Sequence, residues 1–331
     1  MTRPIIALTI GDPNGIGPEI AVKAAAKLAS NGGPAVVLVG DAFVVRHYAE
    51  LCAGDFTIRQ FDGTADRPGC LQVLAVDALP REAFNPGTPV AAGGRATVDY
   101  VATAMRFVDD GHAAAIVACP HSETNVNAAG IPFSGYSSLL ARLKNVPDDQ
   151  VFLMLVGAGL RVVHVTLHER LQMALGRITP ELIERAVRTA DATLRNLNIA
   201  RPRIGVFGIN PHAGEGGLFG DDDDKITVPA VKRLRAAGLT VEGPLGADLM
   251  LGRRDFDAFV AMYHDQGHIP VKLLAGRNSA AMSIGSGLMF ASVGHGSAFD
   301  IAGRGVAEPD AVLRSIQLLG GASHFADAAA S

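Results

Sequence analysis

Residues 261–268 have the sequence AMYHDQGH, and they mark the point where a buried strand gives way to polar residues. The segment before this point, Phe256 to Ala261, is mostly apolar and predicts that strand. His264, Asp265 and Gln266 therefore follow a strand end. In an open α/β sheet, ligands bind at the edge where the strands end, so these residues are candidates for a functional site.

Two further stretches have the same form, a predicted strand that ends in histidine. Residues 161–168 have the sequence RVVHVTLH, and residues 204–217 have the sequence IGVFGINPHAGEGG, in which a glycine-rich turn carries His212. Three strand ends could bring their imidazoles to one metal ion. Neutral imidazole suits Zn, Co, Ni or Fe, and a shell of three histidines leaves positions open for substrate. The alternative is a hydrogen-bonded structural role, which is commoner for any single histidine near a strand end.

The composition is that of a compact globular protein. Of the 331 residues, 48% are hydrophobic and 19% are charged, which allows a large core, most simply in two lobes. A net charge of −4 indicates no basic face, so nucleic acid is not an expected partner. We see no signal-peptide pattern and no apolar run long enough to span a membrane. The three cysteines lack CxxC spacing and fit a reduced, cytoplasmic compartment.

Predicted strands alternate with predicted helices along the chain, which indicates an α/β fold with a mostly parallel sheet. The exception is a predicted hairpin of residues 151–156 and 161–166 around a glycine-containing turn. No GxGxxG motif, P-loop or GxSxG motif is present. A nucleotide cofactor would therefore bind in another way.

Several helix starts are predicted from residues that favour the first turn. Pro18 suits the first turn of a helix after the first strand, and Asp41 and Thr179 are predicted to cap the helices that follow them. The acidic run at 221–224 has the pattern of charges at a helix start, which requires no functional role.

Two glycine-rich stretches resemble the decarboxylating dehydrogenases of the isocitrate and isopropylmalate type. They are residues 11–20, GDPNGIGPEI, and residues 295–305, HGSAFDIAGRG. The sequences NPHAGEGG at 210–217 and MYHDQG at 262–267 are similar to the 4-hydroxythreonine-4-phosphate dehydrogenase family, and this resemblance extends over essentially the whole chain. It implies a two-lobed α/β/α sandwich with a metal site in the cleft between the lobes.

The resemblance implies which lobe carries which function. Residues 1–130 and 280–331 are expected to form the cofactor-side lobe, and residues 131–279 the metal-side and dimer-side lobe. The implied cofactors are NAD and a divalent metal, with Zn first and Co, Mn, Fe or Mg as alternatives. The implied assembly is a homodimer with a shared active site.

The resemblance also assigns candidate site residues by motif. The implied metal ligands are His168, His212 and His264, and His164 is then a packed residue or a neighbour of the ligands. Catalytic candidates are Lys272, to hold a carboxylate or move a proton, and Asp248 and Asp265, as carboxylate partners of the histidines. Tyr136, Ser137 and Lys272 are expected to bind substrate. The cofactor is assigned to His295, Gly296, Ser297 and Asp300.

The sequence departs from this family where its members hold a phosphate group. Tyr136 and Ser137 stand where the family has His-Thr, and Glu123 stands where it has a lysine. An asparagine and an arginine of the family fall at Ala281 and Phe290, whereas its lysine is kept as Lys272. Loss of an arginine removes a bidentate phosphate ligand, so we expect a substrate without phosphate.

Further stretches resemble one branch of the family, which oxidises terephthalate cis-dihydrodiol to protocatechuate and carbon dioxide. They are residues 119–121, 133–136, 164–169, 268–270 and 292–298. The implied function is metal- and NAD-dependent oxidative decarboxylation of a cis-dihydrodiol carboxylate. Two alternatives stay open. One is a dehydrogenase of 4-phosphohydroxy-L-threonine or of threonate or erythronate 4-phosphate, and the other is a non-catalytic protein that binds a metal or metabolite.

Overall fold

The protein is described by a computed structural model that covers residues 4–63, 68–276 and 279–320. Its contacts divide the chain into two compact units. Unit 1 comprises the described residues of Met1–Leu139 and Leu288–Ala322, and unit 2 comprises those of Leu140–Gly287. The boundaries between the two lobes predicted from the sequence lie after residues 130 and 279 instead. Their cofactor-side and metal-side roles stay predictions, and residues 321–331 lie outside the described part of the chain.

Strands and helices alternate along most of the chain, which confirms the predicted α/β class. The strands are, in chain order, β1 (Ile5–Thr9), β2 (Ala35–Gly40), β3 (Thr57–Gln60), β4 (Cys70–Ala75), β5 (Ala115–Ala118), β6 (Phe152–Gly157), β7 (Leu160–His164), β8 (Arg203–Phe207), β9 (Thr240–Leu245), β10 (Ala258–Ala261), β11 (Ala280–Ile284) and β12 (Phe290–Val293). The α-helices are α1 (Gly17–Asn31), α2 (Ala42–Cys52), α3 (Ala91–Asp109), α4 (Glu123–Ala128), α5 (Tyr136–Leu143), α6 (Leu171–Arg177), α7 (Pro180–Asn196), α8 (Val228–Ala236), α9 (Ala247–Gly252), α10 (His264–Ala275) and α11 (Asp310–Leu319). Among the described residues, none of these helices combines the length and apolarity needed to cross a membrane.

Unit 1 is built on parallel strands in the order β3-β4-β2-β1-β5-β12. Leu8 in β1 pairs with Leu38 in β2 and with Val117 in β5, and all three side chains are fully buried. Helices α1, α3 and α11 pack against these strands. Strands that are apolar along their whole length are expected where both faces of a parallel sheet are covered.

The glycine-rich turn after β1 brings the main chain close to another segment. Gly11 has a φ of +71°, and a Cβ atom there would lie 2.2 Å from the carbonyl oxygen of Pro120. Only glycine fits this position, because any side chain would overlap the main chain. Helix α1 then begins at Gly17 with Pro18 in its first turn, as predicted.

The two predicted helix caps differ in outcome. The Thr179 side chain accepts a hydrogen bond from a main-chain N–H of the first turn of α7, so this prediction is confirmed. The Asp41 prediction is wrong in its detail. Asp41 occupies the N-cap position of α2, but its carboxylate makes no capping bond and accepts hydrogen bonds from Ala78, Leu79 and the hydroxyl of Tyr100 instead.

Unit 2 has its strands in the order β11-β6-β7-β10-β8-β9. The pairings of β6 with β7 and with β11 are antiparallel, which confirms the predicted hairpin. Strands β7, β10, β8 and β9 are parallel neighbours. The ends of β7, β10 and β8, which precede the three predicted histidine ligands, therefore lie side by side at one edge with β10 in the middle.

Candidate functional site

Three strand ends of unit 2 deliver the predicted histidines. Strand β7 ends at His164, and the chain bends through an irregular segment to the exposed His168. Strand β10 is followed at once by α10, whose first residue is His264. After β8 the chain turns at Asn210 and reaches His212, whose φ of +53° is in the left-handed region. The abrupt change of direction at each strand end is what places these side chains at the sheet edge.

His264 is oriented by its neighbour Asp265. The Nδ1 atom of His264 lies 2.7 Å from a carboxylate oxygen of Asp265, and because a carboxylate can only accept, Nδ1 carries the hydrogen. In a neutral ring, the Nε2 atom of His264 then carries no hydrogen. A carboxylate bound to one ring nitrogen while the other is free is the usual arrangement of a metal-binding histidine. The imidazole rings of His264 and His168 are 5.2 Å apart.

His212 has the same arrangement with a different carboxylate. Its Nδ1 atom lies 2.6 Å from Glu215, so in a neutral ring its Nε2 atom also carries no hydrogen. The segment before it is held by Asp223, which is fully buried and accepts hydrogen bonds from the main-chain N–H groups of Ile209 and Asn210. The turn that carries His212 is therefore fixed at its base, whereas the His212 side chain is 61% exposed.

The donor set fits a divalent metal in its chemistry but is not assembled among the described residues of one chain. Imidazoles with a bare nitrogen and a carboxylate behind them suit Zn²⁺ and similar ions. In the described part of the chain, however, no three His, Cys, Asp or Glu side chains are close enough together to hold an ion. The rings of His168 and His264 are in contact, and the ring of His212 is in contact with that of Phe219. The three-histidine assignment stays a prediction.

The structure brings together four histidines at the ends of β7 and β10. The ring of His264 stacks on that of His268 with centroids 3.8 Å apart, and His268 Nδ1 lies 2.9 Å from His164 Nε2. Burial is the main cause that lowers the pKa of His164 to about 4 and that of His268 to about 2. We call His164, His168, His264 and His268 the histidine cluster.

The remaining candidates of unit 2 lie around this cluster. Lys272 lies one helical turn after His268 in α10, and its Nζ atom donates to the hydroxyl of Ser279 at 2.9 Å. Burial lowers the pKa of Lys272, which favours its neutral amine more than in water. Asp248 is exposed in the first turn of α9 and, in the described structure, forms no hydrogen bond with a histidine.

The predicted substrate residues of unit 1 belong to an aromatic group. The Tyr136 ring lies 4.4 Å from that of His121 and 5.1 Å from that of Phe290. Its hydroxyl donates to the carbonyl of Cys119 at 2.9 Å, so it is committed to the main chain. Tyr136, Ser137 and Phe290 are all buried. Phe290, to which the sequence resemblance assigns the place of the family's arginine, is thus a buried aromatic ring.

The predicted cofactor segment packs on the N-terminal glycine-rich turn. The Ser297 carbonyl accepts a hydrogen bond from the N–H of Ile16 at 2.9 Å, and a Cβ atom on Gly15 would lie 2.7 Å from the Ser297 side chain. The two glycine-rich stretches singled out in the sequence thus meet. The Ser297 hydroxyl is buried and has no hydrogen-bond partner among the described residues, which fits a group that binds a polar ligand. Asp300 is exposed, as an acidic partner of a ribose would need to be.

Sequence reasoning assigned no role to His268 or Asp223, and it singled out Gln266 only as a residue that follows a strand end. His268 could have been found from its spacing, because residues four apart lie on one face of a helix. Gln266 links two strand ends, since its side chain accepts from the N–H of Met262 and donates to the carbonyl of Gly208. Asp223 was hidden among helix-start charges, and no local signal distinguishes it from its acidic neighbours.

Comparison with known proteins identifies similar chains. The family model described as pyridoxal phosphate biosynthetic protein PdxA matches residues 33–319. A 1,2-dihydroxy-3,5-cyclohexadiene-1,4-dicarboxylate dehydrogenase from a Comamonas species is 48% identical over 95% of this chain and 96% of its own length. A D-threonate 4-phosphate dehydrogenase from Cupriavidus necator is 38% identical over 95% of this chain and 96% of its own length. Among solved structures, a terephthalate 1,2-cis-dihydrodiol dehydrogenase from Burkholderia xenovorans is 52% identical over 96% of this chain and 98% of that one, with a TM-score of 0.73.

Proposed function

This chain belongs to the family of the pyridoxal phosphate biosynthetic protein PdxA, and we propose that it is a dehydrogenase of a cis-dihydrodiol carboxylate. The substrate we propose is terephthalate cis-1,2-dihydrodiol, and the products are protocatechuate, carbon dioxide and NADH. The two similar dehydrogenases of dihydrodiol dicarboxylates, at 48% and 52% identity, support this choice. Oxidation of an alcohol β to a carboxylate gives a β-keto acid, and loss of carbon dioxide then restores an aromatic ring.

The observation that carries the choice of substrate is the environment of Phe290. This side chain is fully buried against Tyr136, at the position where the phosphate-binding members of the family have an arginine. An aromatic ring offers a phosphate group neither charge nor hydrogen bonds. Glu123, at the start of α4, adds a negative charge where the family has a lysine. Both changes disfavour a phosphorylated substrate.

The residues of unit 2 are proposed to bind and orient the reacting alcohol. A divalent metal and NAD⁺, when bound, supply Lewis-acid activation of a hydroxyl and acceptance of a hydride. His168, His212 and His264 are the residues that would hold the metal, and Asp265 and Glu215 keep the Nε2 atoms of His264 and His212 bare for it.

Lys272 is proposed to hold the carboxylate that leaves or to move the proton at that carbon. Its amine is half-buried, and its lowered pKa makes proton exchange easier than at an exposed lysine. The hydrogen bond to Ser279 fixes the position of the amine. His295, Gly296, Ser297 and Asp300 of unit 1 are the residues that we propose for NAD, with the buried Ser297 hydroxyl as a donor to the cofactor.

The test is to measure NADH formation with each substrate, with and without a chelator. Terephthalate cis-dihydrodiol, 4-phosphohydroxy-L-threonine and D-threonate 4-phosphate are offered in parallel to the Zn²⁺-loaded protein. We expect chelator-sensitive turnover of the dihydrodiol alone. Turnover of a phosphorylated substrate alone would contradict the proposal and would assign the chain to the phosphate-binding members of its family.

A dehydrogenase of a 4-phosphorylated hydroxy acid is the second candidate. The D-threonate 4-phosphate dehydrogenase at 38% identity and the retention of Lys272 favour it. The substitution Phe290→Arg tests it further, because a cation at this position should improve turnover of a phosphorylated substrate if the pocket accepts one. A protein that binds a metabolite without catalysis would show no NAD⁺ binding by calorimetry.

A homodimer with a shared active site is also proposed. Among the described residues of one chain His168 and His264 are in ring contact and no group of three potential ligands is present, which supports a second chain as the source of the third ligand. Chains with His264→Ala and chains with His212→Ala, mixed after subunit exchange, should then regain part of the activity. No recovery in verified mixed dimers would contradict a shared site.

A further inference from the structure

We infer that His268 binds a hydroxyl group of the substrate as a hydrogen-bond acceptor through Nε2, and that His164 fixes it in the tautomer that leaves this nitrogen bare. His164 is then a positioning residue that acts through His268. The inference deepens the proposed function, since it rests on an alcohol being the reacting group. It follows from a chain of hydrogen bonds that begins at a main-chain carbonyl.

The first link fixes the tautomer of His164. Its Nδ1 atom lies 3.2 Å from the carbonyl oxygen of Leu153 in β6, and a carbonyl oxygen can only accept. Nδ1 of His164 must therefore carry a hydrogen. The side chain is fully buried, and its two ring nitrogens contact a carbonyl oxygen and another imidazole, so no carboxylate balances a charge on the ring and it is neutral. A neutral ring has one hydrogen, which leaves His164 Nε2 as an acceptor.

The second link fixes the tautomer of His268. Its Nδ1 atom lies 2.9 Å from His164 Nε2, and because the latter accepts, His268 Nδ1 must donate. In its neutral form, the His268 ring carries only this one hydrogen. The Nε2 atom of His268 therefore has a lone pair and no hydrogen. It can accept a hydrogen bond from a hydroxyl but cannot donate one.

The main chain of α10 is adapted to this pair. A Cβ atom on Gly267 would lie 2.4 Å from His164 Nε2 and 2.8 Å from Val162, so glycine lets the first turn of α10 lie against the His164 ring. The close approach brings His268 Nδ1 into hydrogen-bond range. The contact is thus built by three segments of the chain, namely β6, β7 and α10.

The position of His268 makes a hydroxyl the natural ligand. Its ring is nearly parallel to that of His264, with an interplanar angle of 16° and 3.8 Å between centroids. A hydroxyl group that reaches His264 therefore lies within reach of His268. When the substrate hydroxyl donates its hydrogen to His268, the lone pairs of its oxygen point away from His268. The same hydrogen bond orients the C–H bond from which the hydride must leave. An acceptor at this place also disfavours carboxylate or phosphate oxygens, which have no hydrogen to donate.

The first test measures the tautomers without catalysis. Protein with ¹⁵N-labelled histidine, loaded with diamagnetic Zn²⁺, gives imidazole resonances that distinguish protonated from bare nitrogens. We expect both His164 and His268 to carry hydrogen on Nδ1 only, with assignments from the spectra of His164→Asn and His268→Asn. In His164→Asn, we expect the His268 ring to become a mixture of tautomers. A wild-type His268 with hydrogen on Nε2 would overturn the inference.

The second test uses two isosteres of His268. The side-chain amide of asparagine occupies the place of Nδ1 and keeps a donor to His164, but it leaves nothing at Nε2. Glutamine places a carboxamide oxygen near the position of Nε2. We expect His268→Asn to lower kcat/KM for the dihydrodiol about 30-fold and His268→Gln to recover most of this loss, because an acceptor is restored. Equal losses in both variants, or a larger loss in His268→Gln, would overturn the role of Nε2.

The two tests also separate this inference from the proposed function. If the wild-type protein oxidises only a phosphorylated hydroxy acid, the proposed substrate is wrong. His268→Asn and His268→Gln can then be compared on the phosphorylated hydroxy acid, because it also has a secondary hydroxyl. Recovery by glutamine on either substrate supports the role of His268. Spectra with bare Nε2 but identical kinetics of wild type and His268→Asn would overturn hydroxyl binding.

Discussion

At the scale of single residues, Gly267 shows how little space separates α10 from β7. In Gly267→Ala the new Cβ atom would lie 2.4 Å from His164 Nε2, and neither the buried ring nor the helix can move away freely. We expect the free energy of unfolding to fall by about 1–3 kcal/mol, as for other overpacked sites, together with loss of the His164–His268 hydrogen bond. Urea unfolding and histidine ¹⁵N spectra measure the two effects. Gly176→Ala in α6 is the control, because a Cβ there meets no atom within 4 Å.

His164 should make stability depend on pH. Its pKa is about 4 in the folded protein and about 6.5 when unfolded, so the unfolded chain binds the proton more tightly. Stability is therefore complete above pH 6.5 and falls as the pH drops towards 4. Between pH 6.5 and 5, we expect the free energy of unfolding of chelator-treated wild type to fall about 1–2 kcal/mol more than that of His164→Asn. Parallel pH dependences in urea unfolding would show that His164 keeps its ordinary pKa.

Residue types at the strand ends could be read from the sequence, but their contacts could not. His264 and Asp265 are adjacent, so their hydrogen bond is a local feature that the motif suggests. His164 and His268 are separated by 104 positions, and only the pairing of β7 with β10 brings them together. Periodicity therefore predicts which residues lie at an edge, whereas the side-chain network depends on the order of the strands.

At the scale of elements, the cap of α7 offers a direct test. The Thr179 hydroxyl accepts from a first-turn N–H that has no partner within the helix. We expect Thr179→Ala to lower the free energy of unfolding by about 1 kcal/mol. Thr179→Ser keeps the hydroxyl and should lose much less in the same chemical unfolding experiment. Equal losses would mean that the methyl group matters more than the cap.

Helix α1 is tied to the segment before α11 by the buried carboxylate of Glu19. Glu19 is fully buried, accepts hydrogen bonds from the N–H groups of Gly305 and Ala307, and pairs with Lys23 at 2.8 Å. We expect Glu19→Ala to lower the free energy of unfolding by about 3 kcal/mol, because it leaves the two N–H groups without their acceptor and the lysine without its carboxylate partner. In contrast, Lys27→Ala removes an exposed ion pair with Asp310 at 3.9 Å. This substitution should change the free energy of unfolding by less than about 0.5 kcal/mol.

Elements were predictable where a local signal marks their ends. Pro18 and Thr179 mark the starts of α1 and α7, because proline and a capping hydroxyl act within one turn. Asp41 has the same local signal, yet its carboxylate is used by residues far along the chain. A capping residue next to a strand end has several donors within reach, and only the folded structure decides among them.

At the scale of the whole molecule, unit 2 has several large apolar side chains in contact with solvent. Leu218 is 70% exposed, Leu249 is 63% exposed and Leu273 is 81% exposed. If the proposed homodimer forms through these residues, Leu218→Asp should shift the mass measured by light scattering towards that of one chain. The control is Leu51→Asp in unit 1, where the leucine is 48% exposed. A dimer that survives the Leu218 and Leu249 substitutions would contradict this assignment.

The α/β class and the parallel arrangement of the histidine-bearing strands could be predicted, because alternating strands and helices allow few topologies. The neighbours of each strand could not. Nothing in the sequence of residues 258–261 indicates that they lie between β7 and β8, and this placement decides which histidines meet. His168 makes a ring contact with His264 for this reason, and the ring contact of His212 is with Phe219.

The central place of β10 has a consequence for the order in which the protein is made. The ribosome completes β7 and β8 well before it reaches Ala258–Ala261, yet β10 is the strand that pairs with both. A growing chain that ends before this strand has two apolar strand edges with no partner between them. Such edges promote aggregation. Nascent chains that end before β10 are therefore the ones that would most need chaperones.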